Sequence, residues 1–187
     1  TGELDLLSDY EYKKILEIAV KIAGKKIPII AGVANPSTNK AVNMARTAQN
    51  LGVDGLLALT PYYVRPTNDG VLAHFTAIHE ATNLPIIIYS NPRRTNFEID
   101  EELLQAIIKM ERIVGLKDST TDQNRIAKLC SHFQSDKFCY ICGEDASIDT
   151  FLNAGAKSWI SVISNLFPKE CSEVMNHIPF SNLQKYI

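Results

Sequence analysis

A chain of 187 residues with 45% hydrophobic and 21% charged residues lies in the range of one soluble globular domain with a substantial core, which sets aside the disordered and fibrous classes. A net charge of −2 with interspersed signs leaves no electrostatic footprint for nucleic acid, and no stretch approaches the roughly 20 apolar residues that span a bilayer. The expected partner is therefore a small molecule, with no nucleic acid and no membrane. The opening TGELDLLSDYEYKK has neither the basic end nor the apolar run of a secretory signal, so a cytoplasmic location is expected.

In chain order, short apolar runs alternate with longer amphipathic stretches. The runs are IPIIAGV from Ile27, DGLLALT from Asp54, LPIIIYS from Leu84, IVGLKD from Ile113, FCYICG from Phe138 and SWISVI from Ser158. Each is continuously apolar, as strands covered on both faces of a parallel sheet are. Between them lie helical patterns. NKAVNMARTAQNLG ends on Gly52 as its stop, and IDEELLQAIIKM opens with acidic residues suited to the positive end of the helix dipole and closes near Lys109. The spacing of about 20 to 30 residues per unit suits one strand and one helix.

An open doubly wound sheet fits the same alternation, but no strand is followed by a G-x-G-x-x-G or G-x-x-x-x-G-K-[ST] turn. A barrel is favoured because Thr60, Tyr89, Lys117 and Gly143 all fall at C-terminal strand ends, the face on which barrel enzymes build their sites. Six strands are two short of a closed barrel. The expected fold is therefore an incomplete (β/α)8 TIM barrel.

Lys117 ends IVGLK, so its stem is expected on a buried strand with its amine at the barrel mouth. An apolar surrounding disfavours a charged ammonium and makes a free amine available, which can attack a ketone to form a Schiff base. On its own, a lysine leaving the sheet for solvent is the commoner arrangement. A second strand end, IIIYSNPRRT, adds Tyr89, a phenol able to carry the protons of imine formation, and Arg94, a planar fork for a carboxylate. A third, LLALTPYYVRPT, brings Tyr62 and Tyr63 in what reads as a buried loop. Thr1-Gly2-Glu3 reads as a helix opening with an anion site for a small carboxylate.

The other reactive residue types read as structural. Cys139 and Cys142 form a C-x-x-C within a strand, where residues three apart face opposite sides, so they read as ordinary buried thiols. His74, His79, His132 and His177 form no ligand cluster, and His74 with His79 reads as surface. Neither a metal nor another cofactor is expected.

TGE, PIIAG, TPYYVRP, LPIIIYSNPRRT, IVGLKDST, GEDA and ISV, in this order along nearly the whole chain, resemble the dihydrodipicolinate synthase and N-acetylneuraminate lyase family of class I, pyruvate-dependent aldolases. The resemblance implies that Lys117 forms the Schiff base with pyruvate and that Tyr89 is the proton donor and acceptor. It places Thr1 and the backbone carbonyl of Ile160 around pyruvate, with Gly143, Glu144 and Asp145 on the rim. Arg94 in P-x-R-T resembles the synthase branch, where this arginine holds the carboxylate of aspartate semialdehyde. Tyr63 would cross a dimer interface to complete the neighbour's proton relay, in a homo-oligomer that is a dimer or a dimer of dimers (a homotetramer).

The implied reaction is condensation of pyruvate with L-aspartate 4-semialdehyde, an early step toward diaminopimelate and lysine. Alternatives are another pyruvate aldolase or lyase, such as one cleaving N-acetylneuraminate or 4-hydroxy-2-oxoglutarate, and a non-catalytic truncated relic. Family synthases carry two hydroxyl residues before Gly-Glu, and only Thr1 stands here. The resemblance also implies that the barrel lacks its first strand, most of the second and much of a C-terminal helical extension, with residues 1–166 carrying strands three to eight and residues 167–187 starting the C-terminal helical region. The chain thus reads as a fragment or a degraded gene product, expected neither to fold stably nor to catalyse alone. Pro36 and Lys40 take the places of an asparagine and a glutamate that line the lysine pocket of feedback-inhibited members, so insensitivity to lysine is expected.

Overall fold

The computed structural model describes residues 2–176, which fall into two compact units that divide between Val114 and Gly115. Elements alternate throughout: α1 (Asp9–Ala23), β1 (Ile30–Val33), α2 (Thr38–Asn50), β2 (Gly55–Leu59), α3 (Asn68–Glu80), β3 (Ile86–Ser90), α4 (Pro92–Thr95), α5 (Glu101–Ile107), β4 (Ile113–Asp118), α6 (Gln123–Phe133), β5 (Cys139–Cys142), α7 (Ile148–Asn153), β6 (Ser158–Trp159) and α8 (Pro168–Met175). β1 with β2, β2 with β3, β4 with β5 and β5 with β6 all pair parallel, as strands joined by crossover helices must. This is the β/α repeat of the TIM-barrel class, with six of its strands among the described residues.

In the first unit β1, β2 and β3 lie side by side in chain order, with Ile30 opposite Gly55 and Leu59 opposite Tyr89. Helices α1, α3 and α5 begin where a side chain satisfies their free amides. Ser8 and Glu11 form a reciprocal capping box on α1: the Ser8 hydroxyl accepts from the Glu11 amide at 3.3 Å, and the Glu11 carboxylate accepts from the Ser8 amide at 2.9 Å. Thr67 caps α3 through the Gly70 amide and Asp100 caps α5 through the Leu103 amide. Ala41, Ala45 and Ala48 recur every three to four residues on α2 and are fully buried, as are Leu56 and Ala58 on β2 and Phe75 and Ile78 on α3.

In the second unit β4, β5 and β6 are parallel, with Lys117 opposite Ile141, Asp118 opposite Cys142, and Cys142 in turn opposite Trp159. Asp122 caps α6 through the Asn124 and Arg125 amides. The core is Leu116, Ile126, Tyr140, Ile148 and Phe151, with the Tyr140 and Phe151 rings 5.2 Å apart. Each such large side chain contributes about 1.5–3 kcal/mol by leaving water.

Three expectations change. Thr1-Gly2-Glu3 does not open the first α-helix: Gly2 and Glu3 have φ of 117° and 51°, a single 3-10 turn follows over Leu4–Leu6, and α1 starts only after Ser8. The SWISVI run is strand for two residues alone, because Val162 and Ile163 turn their amides onto Asp145 and enter a 3-10 turn over Ile163–Asn165. His74 is not a surface residue. It is 2% exposed, on a stripe of Val71, His74, Phe75 and Ile78 that α3 buries, with Nδ1 3.0 Å from the Thr38 hydroxyl. Burial pushes it down to about 4.

Candidate functional site

Lys117 stands one residue before the C-terminal end of β4 and is 7% exposed, so its stem is enclosed by the strand's neighbours. Successive side chains of a strand face opposite sides, which puts Lys117 and Ser119 on one face and Asp118 on the other. On the Lys117 face, Gly143 at the end of β5 closes against the lysine. A methyl group there would lie 3.0 Å from Lys117 Cε, 2.8 Å from Ser119 Oγ and 3.0 Å from the Asp118 carbonyl oxygen. The glycine is thus a space requirement of the lysine stem. Its backbone is locked from both sides: its amide donates to the Asp118 carbonyl at 2.9 Å and its carbonyl accepts from the Ser119 hydroxyl at 2.8 Å.

On the opposite face the Asp118 carboxylate is fully buried. It accepts from Arg125 Nε of α6 at 2.8 Å and from the Tyr140 hydroxyl of β5 at 3.1 Å. Desolvation and the neighbouring carboxylate push the Tyr140 phenol far up, so it stays a donor. The three residues tie α6 and β5 to the strand end that carries Lys117. Sequence reading passed over all three. Asp118 and Arg125 are seven apart, across a turn closed by the Asp122 cap, and only the fold makes them adjacent.

Asp145, expected on the rim, is engaged in holding the next loop. Its carboxylate accepts from Trp159 Nε1 at 3.0 Å, from the Val162 amide at 3.1 Å and from the Ile163 amide at 2.9 Å. These bonds bracket Ile160, whose own amide donates to the Cys142 carbonyl at 2.9 Å. The two thiols of the C-x-x-C have separate partners: Cys139 Sγ lies 3.0 Å from the Ser158 hydroxyl, and Cys142 Sγ donates to the Glu144 carbonyl at 3.2 Å. Burial pushes Cys142 up to about 12, which leaves it a thiol and not a nucleophile.

In the first unit, Tyr89 near the end of β3 is half-buried and its hydroxyl accepts from Asn91 Nδ2 at 3.0 Å. Thr60 Oγ1, Ser90 Oγ and Asn91 Oδ1 are buried at the same strand ends without a hydrogen bond in the structure, a concentration of polar atoms that packing alone does not call for. Arg94 is exposed on α4, a helical turn started by Pro92 and fastened by the Thr95 hydroxyl to the Asn91 and Phe97 carbonyls. Arg94 therefore stands on a fixed turn.

The paired tyrosines divide. Tyr62 is half-buried and donates to the Asp5 carboxylate; burial, with Asp5 adding to it, pushes its phenol up to about 12. Tyr63 is 96% exposed with φ of 68°, so the loop is not the buried one expected. Thr1 lies outside the described residues. Among the described residues no group of three His, Cys, Asp or Glu is placed to hold a metal ion, and no helix is long and apolar enough to cross a membrane. A shallow cavity of about 370 Å³ along α3, lined by Asp69, Leu72, Ala73, Thr76, Ala77 and Glu80, contains none of the candidate residues.

The sequence model of the Dihydrodipicolinate synthetase family matches residues 1–185. The chain is 38% identical over 174 residues to the 4-hydroxy-tetrahydrodipicolinate synthase of Acidiphilium cryptum (strain JF-5), covering 93% of this chain and 59% of that protein. It is 37% identical over 186 residues to that of Ehrlichia canis (strain Jake), covering 99% and 62%. Among solved structures, the 4-hydroxy-tetrahydrodipicolinate synthase of Methylacidiphilum fumariolicum SolV superposes with a TM-score of 0.89 at 34% identity, over 93% of this chain and 58% of that one. The chloride-inhibited dihydrodipicolinate synthase of Acinetobacter baumannii, complexed with pyruvate, gives 0.89 at 36% identity over 94% and 60%. The chain thus spans about three fifths of the length of the curated relatives it matches.

Proposed function

Because the chain belongs to the dihydrodipicolinate synthetase family, we propose that the protein carrying it condenses pyruvate with L-aspartate 4-semialdehyde through a Schiff base on Lys117, a lyase-type step toward diaminopimelate and lysine. The carrying observation is the enclosure of Lys117: a lysine stem buried at a strand end, with a glycine opposite its Cε. The amine attacks C2 of pyruvate, the carbinolamine loses water, and the imine gives up a C3 proton to become the enamine that adds to the aldehyde carbon. Tyr89 carries the protons of these steps, with its hydroxyl oriented by Asn91. Arg94 on its fixed turn takes the aldehyde's carboxylate, while Thr1 and the Ile160 carbonyl bind pyruvate.

In this reading Tyr63 serves a second copy of the chain, in a dimer or dimer of dimers, and its 96% exposure is what supports that. The reaction needs no cofactor, since the lysine supplies the electron sink, and the cytoplasm is its place. Lys40 is exposed on α2 and Pro36 precedes it, so a cationic amino acid meets like charge there and lysine does not inhibit; inhibition at micromolar lysine would contradict this. The test of the reaction is product formation by the full-length protein from pyruvate and aspartate semialdehyde, set beside cleavage of N-acetylneuraminate. Condensation is expected, and cleavage alone would move the protein to the lyase branch.

A further inference from the structure

We propose that Asp5 is a positioning residue for Tyr63: its carboxylate holds the Tyr62 hydroxyl and thereby fixes the turn from which Tyr63 projects. The inference rests on the reading above that Tyr63 completes a neighbouring subunit's proton relay.

Tyr63 combines two costs. It is a large aromatic side chain almost wholly in water, and its φ of 68° lies in a region that side chains with a Cβ seldom adopt. The Val64 amide donates to the Tyr62 carbonyl at 2.8 Å, closing a three-residue turn with Tyr63 at its centre, a conformation that persists only where its surroundings enforce it. The outer ends of the loop are anchored: the Thr60 amide donates to the Tyr89 carbonyl at 3.3 Å and Pro61 is buried, while Thr67 caps α3. Between those anchors the loop is held by the bond that the Tyr62 hydroxyl donates to the Asp5 carboxylate.

Asp5 is itself held still. It lies in the 3-10 turn over Leu4–Leu6, closed by the Leu6 amide on the Glu3 carbonyl at 2.8 Å and the Leu7 amide on the Leu4 carbonyl at 3.2 Å. Leu4 of that turn packs on β1, where a Cβ on Gly32 would come within 3.2 Å of its Cδ2. The bond therefore joins the segment beside β1 to the loop after β2, a link 57 residues long in sequence. A carboxylate acceptor makes it the stronger kind of hydrogen bond. Without it the Tyr62 ring is free to turn toward water, and the following residue can relax to negative φ, which redirects the Tyr63 side chain.

The test compares Asp5→Ala, Asp5→Asn, Tyr62→Phe and Tyr63→Phe in the full-length protein, with steady-state kinetics and an unfolding midpoint for each. Asp5→Ala and Tyr62→Phe should each lower kcat about tenfold, the range of a displaced proton-transfer group, with KM for pyruvate within about twofold of the unmodified protein. The double variant should be no slower than either single one, because both remove the same bond. Asp5→Asn, whose amide oxygen still accepts, should return kcat to within about threefold. Because Asp5 is exposed, unfolding midpoints should not move enough to explain these losses. Unchanged kcat in Asp5→Ala, or an Asp5→Asn variant as slow as Asp5→Ala, overturns the inference. A slow Tyr63→Phe beside an unaffected Asp5→Ala sinks this inference alone, whereas an unaffected Tyr63→Phe sinks the relay reading and the inference with it.

Discussion

Replacing Gly143 by alanine probes the enclosure of Lys117 with the smallest perturbation available. The added methyl carbon would stand 2.8 Å from Ser119 Oγ, 3.0 Å from the Asp118 carbonyl oxygen and 3.0 Å from Lys117 Cε. All three are below ordinary van der Waals contact, and the Asp118 carbonyl cannot retreat without lengthening the 2.9 Å bond it accepts from the Gly143 amide. The Ser119 hydroxyl can rotate only by giving up its bond to the Gly143 carbonyl. The remaining freedom is in the lysine stem, so the amine is displaced. Overpacking of this kind costs about 1–3 kcal/mol of stability. A shift of an ångström at a reacting atom costs on the order of 100-fold in rate, so the few tenths expected here correspond to roughly tenfold. Urea unfolding measures the first effect, and the rate of borohydride-trapped pyruvate adduct formation measures the second. A Gly143→Ala protein with unchanged stability and unchanged trapping rate would refute the packing argument.

Tyr140→Phe should cost about 1–3 kcal/mol in urea unfolding by withdrawing one donor from a buried carboxylate, and Asp118→Ala about 3–5 kcal/mol because it removes the acceptor that Arg125 Nε and the Tyr140 hydroxyl share; the reverse ranking would contradict the arrangement at Asp118. Asp145→Ala frees the Trp159, Val162 and Ile163 donors together, so KM for pyruvate should rise roughly tenfold while the protein stays folded, and an unchanged KM would mean that the loop bearing Ile160 holds its shape otherwise. His74 is held neutral in the fold down to about pH 4 but takes up a proton near 6.5 once unfolded, so its contribution is fully present above pH 6.5 and is lost as pH falls toward 4. Over that window the unmodified protein should lose about 1.4 kcal/mol of stability per pH unit relative to His74→Asn, and parallel stability curves for the two would disprove it.

The alternation of apolar runs carried the architecture because a strand covered on both faces has to be apolar at every position, and all six runs became strands. Their lengths were less readable. Ile160 to Ile163 are as apolar as any strand, yet three donors converge on one carboxylate fourteen or more residues earlier, and that interaction bends the chain away. Lys117 was legible as a strand-end residue because a charge inside an apolar run is conspicuous. Its support was not: Asp118, Arg125 and Tyr140 are unremarkable in sequence and meet only through the parallel register of β4 and β5 and the cap at Asp122. His74 was misplaced because residue type was weighed above period, although its spacing from Val71, Phe75 and Ile78 already put it on the buried stripe. The Asp5 to Tyr62 bond could not have been read at all, since it spans two β/α units.

The account centres on an imine at Lys117. The full-length protein, incubated with pyruvate and reduced with borohydride, should gain the mass of one reduced pyruvate per subunit, and peptide mapping should place it on the Lys117 side chain. A folded protein that gains no adduct, or gains it on a different lysine while Lys117 remains unmodified, would contradict it.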